Sequence, residues 1–120
     1  MNNIRYTLSA STLKKDPVVD PDYNKLGSIK EIMLNLSTGK IDYFVLSFGG
    51  LGGIGDKLFA IPYERFTVDE KNKVIILDID KQQLQDAPGF DKNNWPDFND
   101  MVWNEKVVTY FNSSSDTRRL

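Results

Sequence analysis

Histidine and cysteine are both missing from this 120-residue chain. Their absence excludes an imidazole base, a thiol nucleophile, a disulfide and a Cys/His zinc site. Acid–base chemistry would have to rest on Asp, Glu, Lys or Tyr alone. Long apolar runs are missing as well. No stretch approaches the roughly 18–20 residues of a membrane span, and the opening MNNIRYTLSASTLKK has no apolar leader core. These absences predict a non-secreted, cytoplasmic protein without a membrane span. There is no excess of positive charge either: 15 basic and 17 acidic residues leave a net charge of −2. Lys14-Lys15, Lys71/Lys73 and Arg118-Arg119 are scattered pairs, so no basic face is expected to hold nucleic acid.

What is present is ordinary globular material, 40% hydrophobic and 27% charged, at a length suited to one domain. Ser9 to Lys15 reads as a short helical turn capped by Ser9 or Ser11. Pro17 to Val19 is a short extended piece, because Pro17 pushes Asp16 out of the helical region. A turn over Pro21 to Lys25 leads into a strand from Leu26. There Ile32, Leu34 and Leu36 alternate with Glu31, Met33 and Asn35, the period of a strand with one buried face. Ser37-Thr38-Gly39-Lys40 closes a hairpin into Ile41 to Phe48, which is apolar on both faces after Asp42. Lys57 to Ile61 is a further strand, ended or bulged by Pro62, and Val74 to Ile79 is rich in β-branched residues. Asp80 caps a short helix from Lys81 to Ala87, with Gln83 in the capping-box position and Pro88-Gly89 as the stop. Phe90, Trp95 and Phe98 are aromatic anchors in a loop. Asp100 to Phe111 is predicted helical, with Trp103, Val107, Tyr110 and Phe111 along one face. Residues 112–120 read as a frayed, flexible tail. Five short strands joined by tight turns predict a mainly β fold, a small antiparallel sheet curled into a barrel over residues 1–80. Residues 81–111 form a helical and aromatic extension packed on it.

Three motifs invite a chemical reading. Gly50-Leu51-Gly52-Gly53-Ile54-Gly55 has the spacing of a dinucleotide-binding turn, which holds a pyrophosphate on the N-terminus of the following helix. Here a strand follows, ending at Pro62, so the glycines serve a hairpin connection. Asp20-x-Asp22-x-Asn24 with Glu31 imitates a calcium loop, but Lys25 stands where the sharp turn needs Gly. Asp78 and Asp80 share one strand face, and a strand end feeding a helix cap explains them better than an acid–base pair. No catalytic, cofactor-binding or metal-ligating residue is therefore assigned. Leu51 and Ile54, two branched aliphatics among glycines, mark Gly50, Leu51, Gly52, Gly53 and Ile54 as the candidate partner-binding segment.

A set of segments recurs in order: Leu8-Ser9-Ala10-Ser11, Lys25-Leu26-Gly27-Ser28-Ile29-Lys30-Glu31-Ile32, Thr38-Gly39-Lys40-Ile41, Val45 to Gly50, and Ile54 to Pro62. In this order they resemble a PRC-barrel domain over roughly Tyr6 to Ile79. Asp86-Ala87-Pro88-Gly89-Phe90 to Pro96 resembles the extension of small stand-alone bacterial members. The family takes in the cytoplasmic part of the photosynthetic reaction-centre H subunit and the C-terminal domain of a ribosome-maturation factor. The resemblance implies a small β-barrel used as a non-enzymatic interaction or adaptor module, with no shared catalytic site and no cofactor. Self-association is expected, because Tyr43, Phe44, Val45, Leu46 and Phe48 crowd both faces of one strand and a monomer's own core covers only one. A homodimer with Gly49 to Gly55 at the contact follows. The rival readings are a ligand carrier or small enzyme with a pocket at the barrel mouth, and a ribosome or RNA-processing accessory factor.

Overall fold

The computed structural model describes residues 7–49 and 57–119, with side chains as far as residue 112. Helix α1 (Ala10–Lys15) starts where Ser9 accepts the Thr12 N–H, and it buries Leu13. Six strands follow: β1 (Pro17–Val19), β2 (Lys25–Asn35), β3 (Lys40–Phe48), β4 (Lys57–Pro62), β5 (Phe66–Asp69) and β6 (Val74–Leu77). Helices α2 (Lys81–Gln85) and α3 (Met101–Arg119) complete the chain. The strands form one sheet in the order β4-β3-β2-β1-β6-β5.

That order forces curvature. In a flat six-stranded sheet the edge strands would stand roughly 24 Å apart, at about 4.8 Å per step. Yet β4 and β5 are consecutive, joined only by the 3₁₀ turn Tyr63–Arg65. Four Cα steps reach about 14 Å at most, so the sheet must roll into a half-barrel to bring its edges together. Phe44 lies inside the roll, its ring 4.9 Å from that of Phe66 and 5.2 Å from that of Tyr63. Gly27 lies tight against the Ser47–Phe48 backbone of β3. A Cβ there would stand 2.0 Å from the Ser47 carbonyl oxygen, so only glycine fits that point of the ladder.

Four details differ from the sequence-based expectation. Phe66–Asp69 adds a sixth strand, too short at four residues for its alternation to stand out. The pairing of β1 with β6 is parallel, a long-range contact that no local pattern encodes. Helix α3 continues past Phe111 to Arg119, since no Gly or Pro follows Phe111 to stop it. The fourth concerns β2. Between Met33 and Leu34 the partner in β3 moves from Tyr43 to Ile41, so Asp42 is an extra, unpaired residue. This bulge shifts the phase of β3 against β2; Leu34, next to the end of β2, is exposed, and Leu36 falls in the connecting turn.

The C-terminal extension lies on the barrel. Phe90 exchanges two backbone hydrogen bonds with Leu58, both 2.8 Å, and so covers part of the outer edge of β4. Val107 and Phe111 of α3 join the buried core, with Phe98, Trp103 and Tyr110 packed against it. Tyr43 faces this extension, its ring 5.6 Å from Trp103 and 6.0 Å from Phe98. Both faces of β3 are thus covered within a single copy, and the crowding of aromatics there no longer calls for a second one. Among the described residues no helix is long and apolar enough to cross a membrane.

Candidate functional site

The segment Gly50, Leu51, Gly52, Gly53 and Ile54 lies outside the described residues, as do Gly55 and Asp56. Its far flank is described: strand β4 begins at Lys57, two positions past Gly55. A strand directs its N–H groups sideways into a ladder and cannot aim several of them at one phosphate as a helix N-terminus does. The calcium-like motif has a plain role. An Asp20 carboxylate oxygen accepts the N–H groups of Asp22 and Asn24, both at 2.9 Å, which is an Asx turn. Asp80 accepts the Gln83 N–H at 2.8 Å while Gln83 returns a bond to the Asp80 N–H at 3.2 Å, completing the capping box. Asp78 stands 3.9 Å from the Arg65 guanidinium. Among the described residues no group of three or more acidic side chains could hold a metal ion.

The residues that converge on a concave surface lie elsewhere. The tip of the β2–β3 hairpin faces the first turn of α3 across a cleft of about 790 Å³. Leu34, Leu36 and Met101 stand on its rim and are 59%, 90% and 80% exposed. Met33, Tyr43 and Phe98 line its floor, and Asp42 and Asp97 are its charged side chains. A second cleft of about 420 Å³ adjoins it, lined by Asp42, Tyr43, Pro62, Glu64, Asn104, Val108 and Asn112. The two share Asp42, Tyr43 and Asn104.

This shared wall is built with care. The Tyr43 hydroxyl donates to Asn104 Oδ1, and Asn104 Nδ2 donates to the carbonyls of Phe98 and Asp100, both at 2.8 Å. Asp100 in turn accepts the Val102 N–H at 2.9 Å, which caps the start of α3. Burial raises the Tyr43 pKa, and the negative charges of Asp42 and Glu64 raise it further. The hydroxyl therefore stays a protonated donor, tying α3 to β3 rather than acting as a base. On the other side of α3 the Tyr110 hydroxyl donates to the Gln83 carbonyl at 2.7 Å. Arg65 completes the attachment: its buried guanidinium donates to the carbonyls of Phe111 and Asp78.

None of the rim residues was expected on this surface from sequence. Leu34 and Leu36 read as buried, and only the Asn35-Leu36-Ser37-Thr38-Gly39 turn chemistry hinted otherwise. Asn35 accepts the N–H of Ser37 at 2.9 Å, which fixes Leu36 at the tip of the turn. The pattern of the PRC-barrel domain family matches residues 7–84, and the chain belongs to that family. No curated protein matches the chain. The matched stretch holds the six described strands, whereas Phe98, Met101 and Asn104 lie beyond it. The cleft thus has one wall from the family barrel and one from the extension.

Proposed function

We propose that this member of the PRC-barrel domain family is a non-enzymatic, cytoplasmic interaction module that holds a protein partner and also self-associates. The single observation carrying the reading is the cleft between the β2–β3 hairpin tip and α3, on which Leu34, Leu36 and Met101 all stand exposed. Burying one such side chain contributes about 1.5–3 kcal/mol, and leaving three of them in water beside a cleft forgoes that gain until something covers them. The groups between the two clefts suit binding better than catalysis: an amide, a tyrosine hydroxyl held protonated, and carboxylates on the open surface. The extension supports the same reading, since it gives the family barrel a wall of its own.

Self-association is assigned to the Gly50–Ile54 segment, because Leu51 and Ile54 are the branched aliphatics there, and the cleft is left free for another protein. Light scattering at micromolar concentration is expected to report about twice the chain mass. Replacing Leu51 and Ile54 together with Asp is expected to shift the protein to monomer with its circular dichroism unchanged. A wild-type monomer at high concentration contradicts self-association, and a dimeric double variant contradicts the assignment to this segment.

A further inference from the structure

We infer that the paired clefts beside α3 take a basic amphipathic peptide segment of another protein. Its large apolar side chains seat on Leu34, Leu36 and Met101, and its lysine or arginine side chains meet Asp42, Asp97 and Glu64. The inference rests on the interaction-module reading and supplies the chemistry of the partner.

Two observations combine to select this partner. The rim is apolar and open: Leu36 and Met101 are among the most exposed large hydrophobic residues described. The charged side chains that line the clefts have one sign. Asp42, Asp97 and Glu64 line the two clefts, and among the described residues neither lining includes a lysine or arginine. Asp42, the unpaired residue of the bulge, is exposed, and Asp97 spends one carboxylate oxygen on the Asn99 N–H at 2.9 Å. The field of these groups is felt within the wall, because both Asp42 and Glu64 disfavour ionisation of Tyr43. An apolar seat ringed by carboxylates repels the phosphates of nucleic acid and of anionic lipid surfaces. It attracts a segment that brings apolar side chains and positive charge together, as a basic amphipathic helix does. Two clefts that share Asp42, Tyr43 and Asn104 adjoin, which suits a length of chain better than a compact ligand.

The chain carries its own reporters. Trp103 packs on Tyr43 and Phe98, and Trp95 lies 6.4 Å from Phe98, so both tryptophans border the cleft floor. The experiment titrates the full chain with a short leucine–lysine amphipathic peptide and with a leucine–glutamate peptide of the same apolar spacing, following tryptophan emission. The lysine peptide is expected to give a saturable shift. The glutamate peptide is expected to bind at least about tenfold more weakly. L36S/M101S is expected to weaken the lysine peptide about tenfold, and D42N/E64Q/D97N or raised salt to weaken it several-fold. These positions are exposed, so matching circular dichroism spectra establish that the variants fold. Equal binding of both peptides that L36S/M101S abolishes overturns the charge selection and leaves the interaction module standing. Binding of neither peptide, or lysine-peptide binding that L36S/M101S leaves unchanged, overturns the inference outright. A dimer in light scattering that L36S/M101S splits also overturns it, because the cleft then belongs to a second copy.

Discussion

Ending the chain after Asp80 is expected to leave a barrel that does not fold. Every strand survives that truncation, so by element count the loss looks modest. The core says otherwise. Leu84 and Phe111 are fully buried and Val107 nearly so, while Phe90, Phe98, Trp103 and Tyr110 pack against the same cluster. Each fully buried apolar side chain contributes about 1.5–3 kcal/mol, and three of them rival the 5–15 kcal/mol by which a whole domain is stable. The removal also bares Tyr43 and uncovers the edge of β4 that Phe90 protects, which invites strand pairing between molecules. The truncated chain is expected to aggregate on expression or to show no cooperative thermal transition. A soluble product that melts like the full chain would show the extension to be an independent appendage.

Arg65→Met is expected to cost about 3 kcal/mol, a fall of roughly 10 °C in Tm. Arg65 closes the short turn between β4 and β5 and is only 7% exposed. Its fork reaches the Phe111 carbonyl in α3 with one nitrogen and the Asp78 carbonyl with another, and Asp78 returns a hydrogen bond from its N–H to the Arg65 carbonyl at 3.1 Å. One guanidinium thus ties the closing corner of the barrel to the helix laid across it. Methionine fills similar volume but donates nothing, so both carbonyls lose a charged donor in a dry place. Arg65→Lys retains the charge and is still expected to be destabilising, because an ammonium group cannot serve two carbonyls in a fixed fork. Thermal melts of the three proteins check the order: wild type, then Lys, then Met. A Met variant as stable as wild type would remove Arg65 from any structural role.

These residues also show where reading from sequence succeeds. Local devices are legible, because their partners are three or four positions apart: the Ser9 cap, the Asp80/Gln83 capping box and the turn that closes the β2–β3 hairpin are all in place. The aromatic anchors of the extension are legible as mass that must be buried. Arg65 was not, since an arginine after Pro62-Tyr63-Glu64 reads as surface charge until the fold brings Phe111 to it. Leu34 was misplaced for a subtler reason. A period of two predicts a buried face only as far as something covers it: Ile32 packs against the core, and Leu34, two residues on along the same face, is exposed. The site depends on that loss of cover, and so the pattern that located the strand concealed the surface.

The claim that a partner sits where those leucines point is tested most directly by photo-crosslinking in the native host. A photoreactive phenylalanine derivative is introduced singly at Leu36, at Met101 and, as the control, at exposed Thr67 on β5. A discrete protein adduct is expected from positions 36 and 101, lost when Asp42, Glu64 and Asp97 are neutralised, and none from position 67. An adduct from position 67 with none from 36 or 101 would place the partner on another face and remove the cleft from its binding.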